Sequence, residues 1–170
     1  SFGNGSAMRV SPCGWVAESL EEAENLAKKS ALPTHNHPEG VKGAQATAAA
    51  IYMARNGSSK EDIKSYIESK YGYNLSRTIK EIKESGYKFD STCQGSVPES
   101  IVAFLEGNSY EEVIRLAIYL GGDADTQAAI AGSIAEAFYE MPGRFIGDVE
   151  KRLDKYLLSV LNEFNNFCNE

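Results

Sequence analysis

The densest run of chemically useful residues is Gly121-Gly122-Asp123-Ala124-Asp125-Thr126. Two carboxylates one residue apart, followed by a hydroxyl, are hard oxygen ligands at a spacing that can converge on one cation. The two glycines let the backbone turn sharply beneath them. Helix capping is the plainer reading of the same residues, since Asp is a favoured N-cap and the positive helix end attracts carboxylates. The next stretch shifts the balance. From Ala128 to Ala137 it is so rich in Ala, with Gly132 and Ser133, that a helix there must pack closely on neighbours, which suits a buried helix carrying a site at its end.

A second candidate is Ser1-Phe2-Gly3-Asn4-Gly5-Ser6, leading into Ala7-Met8-Arg9-Val10. A glycine-rich turn feeding a helix exposes consecutive backbone N–H groups, a natural cradle for phosphate. Asn-Gly is also a common turn. The third is Thr34-His35-Asn36-His37-Pro38-Glu39, which holds both histidines of the chain in a loop before a helix. No further nitrogen or sulfur ligand accompanies this H-x-H pair. A ring that stacks on or hydrogen-bonds a ligand fits better than a zinc site, with a solvated loop histidine as the bland alternative.

The elements that must position these residues are helices. Periodicity is helical almost throughout, and no alternating β-branched run is long enough for a strand. Capping boxes at Ser19-x-x-Glu22, Ser58-x-x-Glu61 and Ser109-x-x-Glu112 predict helices over about 19–31, 58–71 and 109–120. Pro38 sits where a first-turn proline belongs, ahead of an Ala-rich run over about 41–55 that Asn56-Gly57 ends. Pro98 similarly predicts a helix start, with Gly107 as its end, and a further helix runs over about 125–139. Val149, Leu153, Tyr156, Leu157, Val160, Leu161, Phe164, Phe167 and Cys168 form one amphipathic ladder, read as a last helix laying one face on the core. The region from Tyr71 to Ser91 is polar and offers no clear element. The expectation is a single all-α domain over residues 1–170, with about eight helices.

Composition sets the outer bounds. A chain of 170 residues suits one core, and 42% hydrophobic with 24% charged residues excludes a disordered protein. Acidic residues number 24 against 17 basic, a net charge of −7, which argues against nucleic acid or an anionic membrane as partner. No run approaches the ~18 apolar residues of a membrane-spanning helix. Cys13, Cys93 and Cys168 are an odd, widely spaced set without a C-x-x-C pair, so a reducing, cytoplasmic setting is expected rather than a disulfide framework.

Taken together, the three segments resemble the ADP-ribosylglycohydrolase family, enzymes similar to the dinitrogenase-reductase-activating glycohydrolase. Ser-(aromatic)-Gly-Asn-Gly-x-x-Met-Arg is matched by Ser1 to Arg9, a Thr-His-x-x-Pro-like loop by Thr34 to Pro38, and Gly-Gly-Asp-x-Asp-Thr by Gly121 to Thr126. The resemblance implies an orthogonal multi-helix all-α fold with a dinuclear Mg²⁺ centre at the floor of an ADP-ribose cleft. Asp123, Asp125 and Thr126 would be metal ligands. Ser1, Phe2, Gly3, Asn4, Gly5 and Ser6 would hold the diphosphate, and His35 would line the adenosine end. The implied reaction is hydrolysis of ADP-ribose from modified protein side chains, with ADP-ribosylated protein or ADP-ribose as partner.

The departures bear on that reading. The family carries two further motifs upstream, a Gly-Asp-x-x-Gly segment with a nearby acidic residue and a Thr-Asp-Asp-Thr segment with the other metal ligands. Neither occurs here, and the chain opens at Ser1 without an initiator Met, inside the phosphate loop. It therefore resembles the C-terminal two-thirds of a family member. On this reading the catalytic acid lies upstream of Ser1, the Mg²⁺ site is incomplete and weak, and the isolated chain is inactive unless the missing segment is supplied, even as a separate chain. Glu136 and Glu140 stand where the family often has Gly, a surface variation. Two alternatives remain: a non-catalytic ADP-ribose-binding remnant, and a structural, crystallin-like protein on the same scaffold.

Overall fold

A computed structural model describes residues 1–168. Among them there are eleven helices and no strand, as the all-α expectation requires. They are α1 (Gly5–Met8), α2 (Ser11–Val16), α3 (Leu20–Ala31), α4 (Pro38–Arg55), α5 (Lys60–Tyr71) and α6 (Ile79–Glu84). Then come α7 (Cys93–Glu106), α8 (Tyr110–Leu120), α9 (Ala124–Phe138), α10 (Gly143–Glu150) and α11 (Lys155–Cys168). The chain divides into two compact units, 1–139 and 140–170. No helix among the described residues is long and apolar enough to cross a membrane.

The capping signals place most helix starts. Ser19 accepts the Glu22 N–H and Ser109 the Glu112 N–H. The two glutamates reach one residue further back than a standard box, to the N–H groups of Glu18 and Asn108. The box of α5 lies one residue later than expected, at Ser59 and Asp62. The reason is local: Ser58 belongs to the end of α4, its N–H closing on Met53 O at 3.0 Å while Gly57 N–H bonds Ala54 O, a Schellman closure. A capping box at Thr78 and Glu81 opens α6 inside the polar stretch that offered no clear element. Pro98 lies within α7 rather than at its start, because Thr92 is the N-cap and accepts the Gly95 N–H at 3.1 Å.

The C-terminal ladder is two helices rather than one. Asp154 accepts the Leu157 N–H at 2.8 Å and restarts the helix after α10.

In the first unit the Ala-rich α4 is central, packing on α1, α2, α3, α5, α7 and α9. Small side chains make that density possible. A Cβ on Gly14 of α2 would sit 2.7 Å from Ile51 Cβ of α4, so these helices touch backbone to side chain. Ile51, Ile63, Ile101, Phe104, Ile130 and Ile134 fill the surrounding core, each with under 2% exposure. Full burial of such a side chain contributes about 1.5–3 kcal/mol. This packing brings the N-termini of α1, α7 and α9 to one end of the unit.

Candidate functional site

The Asp loop is held from behind. Lys83 donates from Nζ to the carbonyls of Tyr119 and Leu120, at 2.7 and 3.0 Å, closing the C-terminus of α8. Gly121 and Gly122 then turn the chain with φ of +77° and +76°, a region that favours glycine. Asp123 follows as the N-cap position of α9, yet its side chain caps nothing in its own helix. Asp123 Oδ2 instead accepts Asn4 Nδ2 at 2.8 Å. Asp125 is exposed and accepts the Thr126 N–H at 2.9 Å. That bond, followed by hydrogen bonding with the Asp123 carboxyl, holds the Asp125 pKa below its usual value. Thr126 is 7% exposed, and its hydroxyl donates to Met8 Sδ at 3.6 Å.

The N-terminal segment is built into the same end. Asn4 N–H donates to Ser91 O at 2.8 Å and Cys93 N–H to Phe2 O at 2.9 Å, pinning Gly3 against Thr92 as an antiparallel bridge. The second amide hydrogen of Asn4 goes to Ser96 Oγ at 3.1 Å, and Ser96 in turn donates to Thr92 O. Two N–H groups of the expected cradle are thus engaged within the protein, Asn4 with Ser91 and Gly3 with Ser1 Oγ. Ser6 is buried and donates to Gly40 O at 2.7 Å. Phe2 is half-exposed and meets the His37 ring edge-on at 5.4 Å.

His35 lies against this turn. Its Nε2 would be 3.2 Å from a Cβ on Gly5 and 3.7 Å from one on Gly3, so the glycines admit the ring. Thr34 Oγ1 lies 2.8 Å from His35 Nδ1, and Arg9 donates to Thr34 Oγ1 at 2.7 Å. Burial, then the Arg9 charge, lowers the His35 pKa, favouring a neutral ring at neutral pH.

The structure therefore brings the three sequence-predicted segments together through Asn4–Asp123, Met8–Thr126 and His35–Gly5. Sequence reasoning missed their supports. Buried Gln127 donates to Tyr87 OH at 3.0 Å, and Tyr87 donates to Gly95 O at 2.7 Å, tying α9 to α7 behind Gly122. Ser96 and Tyr87 carry no local signature, because their partners lie far away in the chain.

Comparisons with known proteins fit this geometry. The sequence profile described as ADP-ribosylglycohydrolase matches residues 1–166. The chain is 29% identical to ADP-ribosylhydrolase ARH3 of Mus musculus, covering 83% of this chain and 50% of that one. It is 31% identical to ADP-ribosylarginine hydrolase Tri1 of Pseudomonas putida, over 83% of this chain and 39% of the relative. A solved structure titled ADP-ribosylglycohydrolase-related protein complex superposes with a TM-score of 0.68 at 31% identity, covering 84% of this chain and 53% of that one. The chain thus spans about half the length of the curated relatives it matches.

Proposed function

Since the chain belongs to the ADP-ribosylglycohydrolase family, we propose that its first unit is the ADP-ribose- and Mg²⁺-holding part of a hydrolase that releases ADP-ribose from modified protein side chains. The observation that carries this reading is the Asn4–Asp123 hydrogen bond, which makes one site of the glycine-rich turn and the Asp loop.

The donor set suits a hard cation. Asp123 and Asp125 stand one residue apart at the start of α9, with Asp123 held by Asn4, and two ionised carboxylates brought close repel unless a cation or proton lies between them. Thr126 adds a neutral oxygen. Three oxygen donors leave much of an octahedral shell to other groups, so affinity from this chain alone is weak, in line with the reluctance of Mg²⁺ to shed water. When bound, the metal supplies charge stabilisation for ribose oxygens and for water as an oxocarbenium-like carbon develops. Asp123, Asp125 and Thr126 hold and orient it. The turn from Ser1 to Ser6 faces the diphosphate, and the neutral His35 ring lines the adenosine end. The acid that assists water attack comes from a segment outside these residues, part of this protein or a separate chain. The free state of Cys13, Cys93 and Cys168 suits a reducing, cytoplasmic setting.

The test separates binding from turnover. Calorimetry with ADP-ribose, with and without Mg²⁺, should show binding that the metal strengthens. Release from ADP-ribosylated arginine and serine peptides should be absent for the 170-residue chain and restored when the matching N-terminal half of a relative is added. No ADP-ribose binding under any condition would overturn the reading. Binding that no added segment converts into turnover would favour the non-catalytic, ligand-binding alternative.

A further inference from the structure

Four helical hydroxyls of the first unit share one habit, and Thr126 departs from it. Thr47, Ser96, Ser100 and Ser133 each donate to the carbonyl four residues back, at 2.9, 2.6, 2.7 and 2.7 Å. That is the ordinary way for a helix to absorb a hydroxyl hydrogen. Thr126 lies in the first turn of α9, and the residue four back is Gly122, outside the helix. Its hydrogen goes instead across the site to Met8 Sδ, at the C-terminal end of α1.

A hydroxyl has one hydrogen and two lone pairs. To ligate a cation it must offer a lone pair, and its hydrogen must point elsewhere. A thioether is suited to take that hydrogen at a metal site. It is a weak neutral acceptor, so it adds no charge that would compete with Asp123 and Asp125. It is also a soft donor, with little affinity for Mg²⁺ or Mn²⁺, so it does not draw the cation away from the oxygens.

We propose that Met8 is a positioning residue, whose Sδ holds the Thr126 hydroxyl hydrogen so that a lone pair of Oγ1 faces the divalent cation. The inference rests on the metal-site reading above, and deepens it by assigning a role to the Met of the N-terminal segment. Met8 acts only through Thr126 and touches neither cation nor substrate.

The experiment uses the full chain and Mn²⁺ alone as probe, with free Mn²⁺ followed by electron paramagnetic resonance. Met8→Leu preserves apolar volume and removes the acceptor. Removing such an outer partner typically weakens metal binding 10–100-fold, so a loss of about 10-fold is expected, with an unchanged thermal melt. Thr126→Val should weaken binding at least as much. In the Thr126→Val background Met8→Leu should cost nothing further, an outcome that a merely structural role would not produce. In wild-type protein labelled with ¹³C at the methionine methyls, Mn²⁺ should broaden the Met8 signal, identified by its loss in Met8→Leu. Broadening in the wild type with an unchanged Mn²⁺ affinity in Met8→Leu would overturn this inference and leave the metal site standing. Additive losses in the double variant would overturn it equally. No broadening and no Mn²⁺ binding by the wild type would remove the metal-site reading, and this inference with it.

Discussion

Asn4 and Asp123 stand 119 residues apart in the chain and are joined by a 2.8 Å hydrogen bond from Asn4 Nδ2 to Asp123 Oδ2. The same amide donates its other hydrogen to Ser96 Oγ. Both donors of Asn4 are therefore used, and Asn4 fixes the Asp123 carboxylate relative to α7. We expect Asn4→Ala to destabilise by about 1–3 kcal/mol, because Ser96 and Asp123 lose a buried partner. Asn4→Asp, nearly isosteric, should be worse than Asn4→Ala without divalent ions, since it sets a third carboxylate beside Asp123 and Asp125. Thermal melts of both variants, with and without Mg²⁺, check this. An Asn4→Asp protein as stable as wild type without metal would count against it.

What was legible in the sequence follows the range of the forces involved. Capping boxes act within four residues, so α3 and α8 could be placed from Ser19 and Ser109. The same short range explains the misplacement at α5, where Ser58-x-x-Glu61 and Ser59-x-x-Asp62 compete and only the Schellman closure of α4 on Ser58 decides. The Asp loop and the glycine-rich turn were readable as residue types at set spacings. Their convergence was not readable from local pattern alone, since the Asn4–Ser96–Asp123 contacts and the Tyr87–Gln127 support exist only once α7 and α9 pack. The C-terminal ladder read as one helix because apolar periodicity runs on across a break. Its break at Asp154 was a cap hidden among charges.

A second prediction concerns Glu24, 5% exposed, which accepts hydrogen bonds from Tyr66 OH and Tyr71 OH at 2.6 Å each and from Lys70 at 2.5 Å. Burial pushes its pKa up, but the bonds from Lys70, Tyr66 and Tyr71 outweigh it and hold the carboxyl below its ordinary 4.5. A pKa lower in the folded than in the unfolded chain adds stability that is complete above the unfolded value and lost as pH falls through the folded one. Glu24→Gln should therefore cost about 2–3 kcal/mol at neutral pH. The gap from wild type should shrink below about pH 4.5. Urea melts across that range measure it, and a gap that widens on acidification would contradict the network's role.

Thiol chemistry gives a third. Cys93 is fully buried, donates to Gly3 O at 3.2 Å, and burial pushes its pKa up to about 11. Cys13 is half-buried and also raised by burial, whereas Cys168 is exposed. Since the thiolate is the reactive form, a disulfide reagent at neutral pH should label Cys168 rapidly, Cys13 slowly and Cys93 only on unfolding. Rapid labelling that survives in Cys168→Ser would show that the Cys93 contact with the glycine-rich turn opens readily.

Two adjacent glycines, Gly121 and Gly122, turn the chain ahead of Asp123. Both have positive φ, +77° and +76°, and Gly121, with ψ of −153°, lies in a region open essentially to glycine alone, so a Cβ there carries backbone strain of about 1–3 kcal/mol. Their surroundings differ. A Cβ at Gly121 meets only Lys83 Nζ at 3.4 Å, the tip of a flexible side chain. One at Gly122 would lie 2.8 Å from Tyr87 Cε1 and 3.2 Å from Gln127 Oε1, closer than real atoms tolerate against a ring. Tyr87 cannot yield without breaking its bond to Gly95 O and losing the Gln127 donor behind Asp123. Gly122→Ala should therefore carry about 1–3 kcal/mol of overpacking in urea unfolding, on top of any backbone strain. Only Gly122→Ala should also lower Mn²⁺ affinity, because the displaced loop carries Asp123 with it. An Mn²⁺ affinity left unchanged by Gly122→Ala, or lowered equally by Gly121→Ala, would show that the Tyr87 wall has no part in aiming the carboxylates.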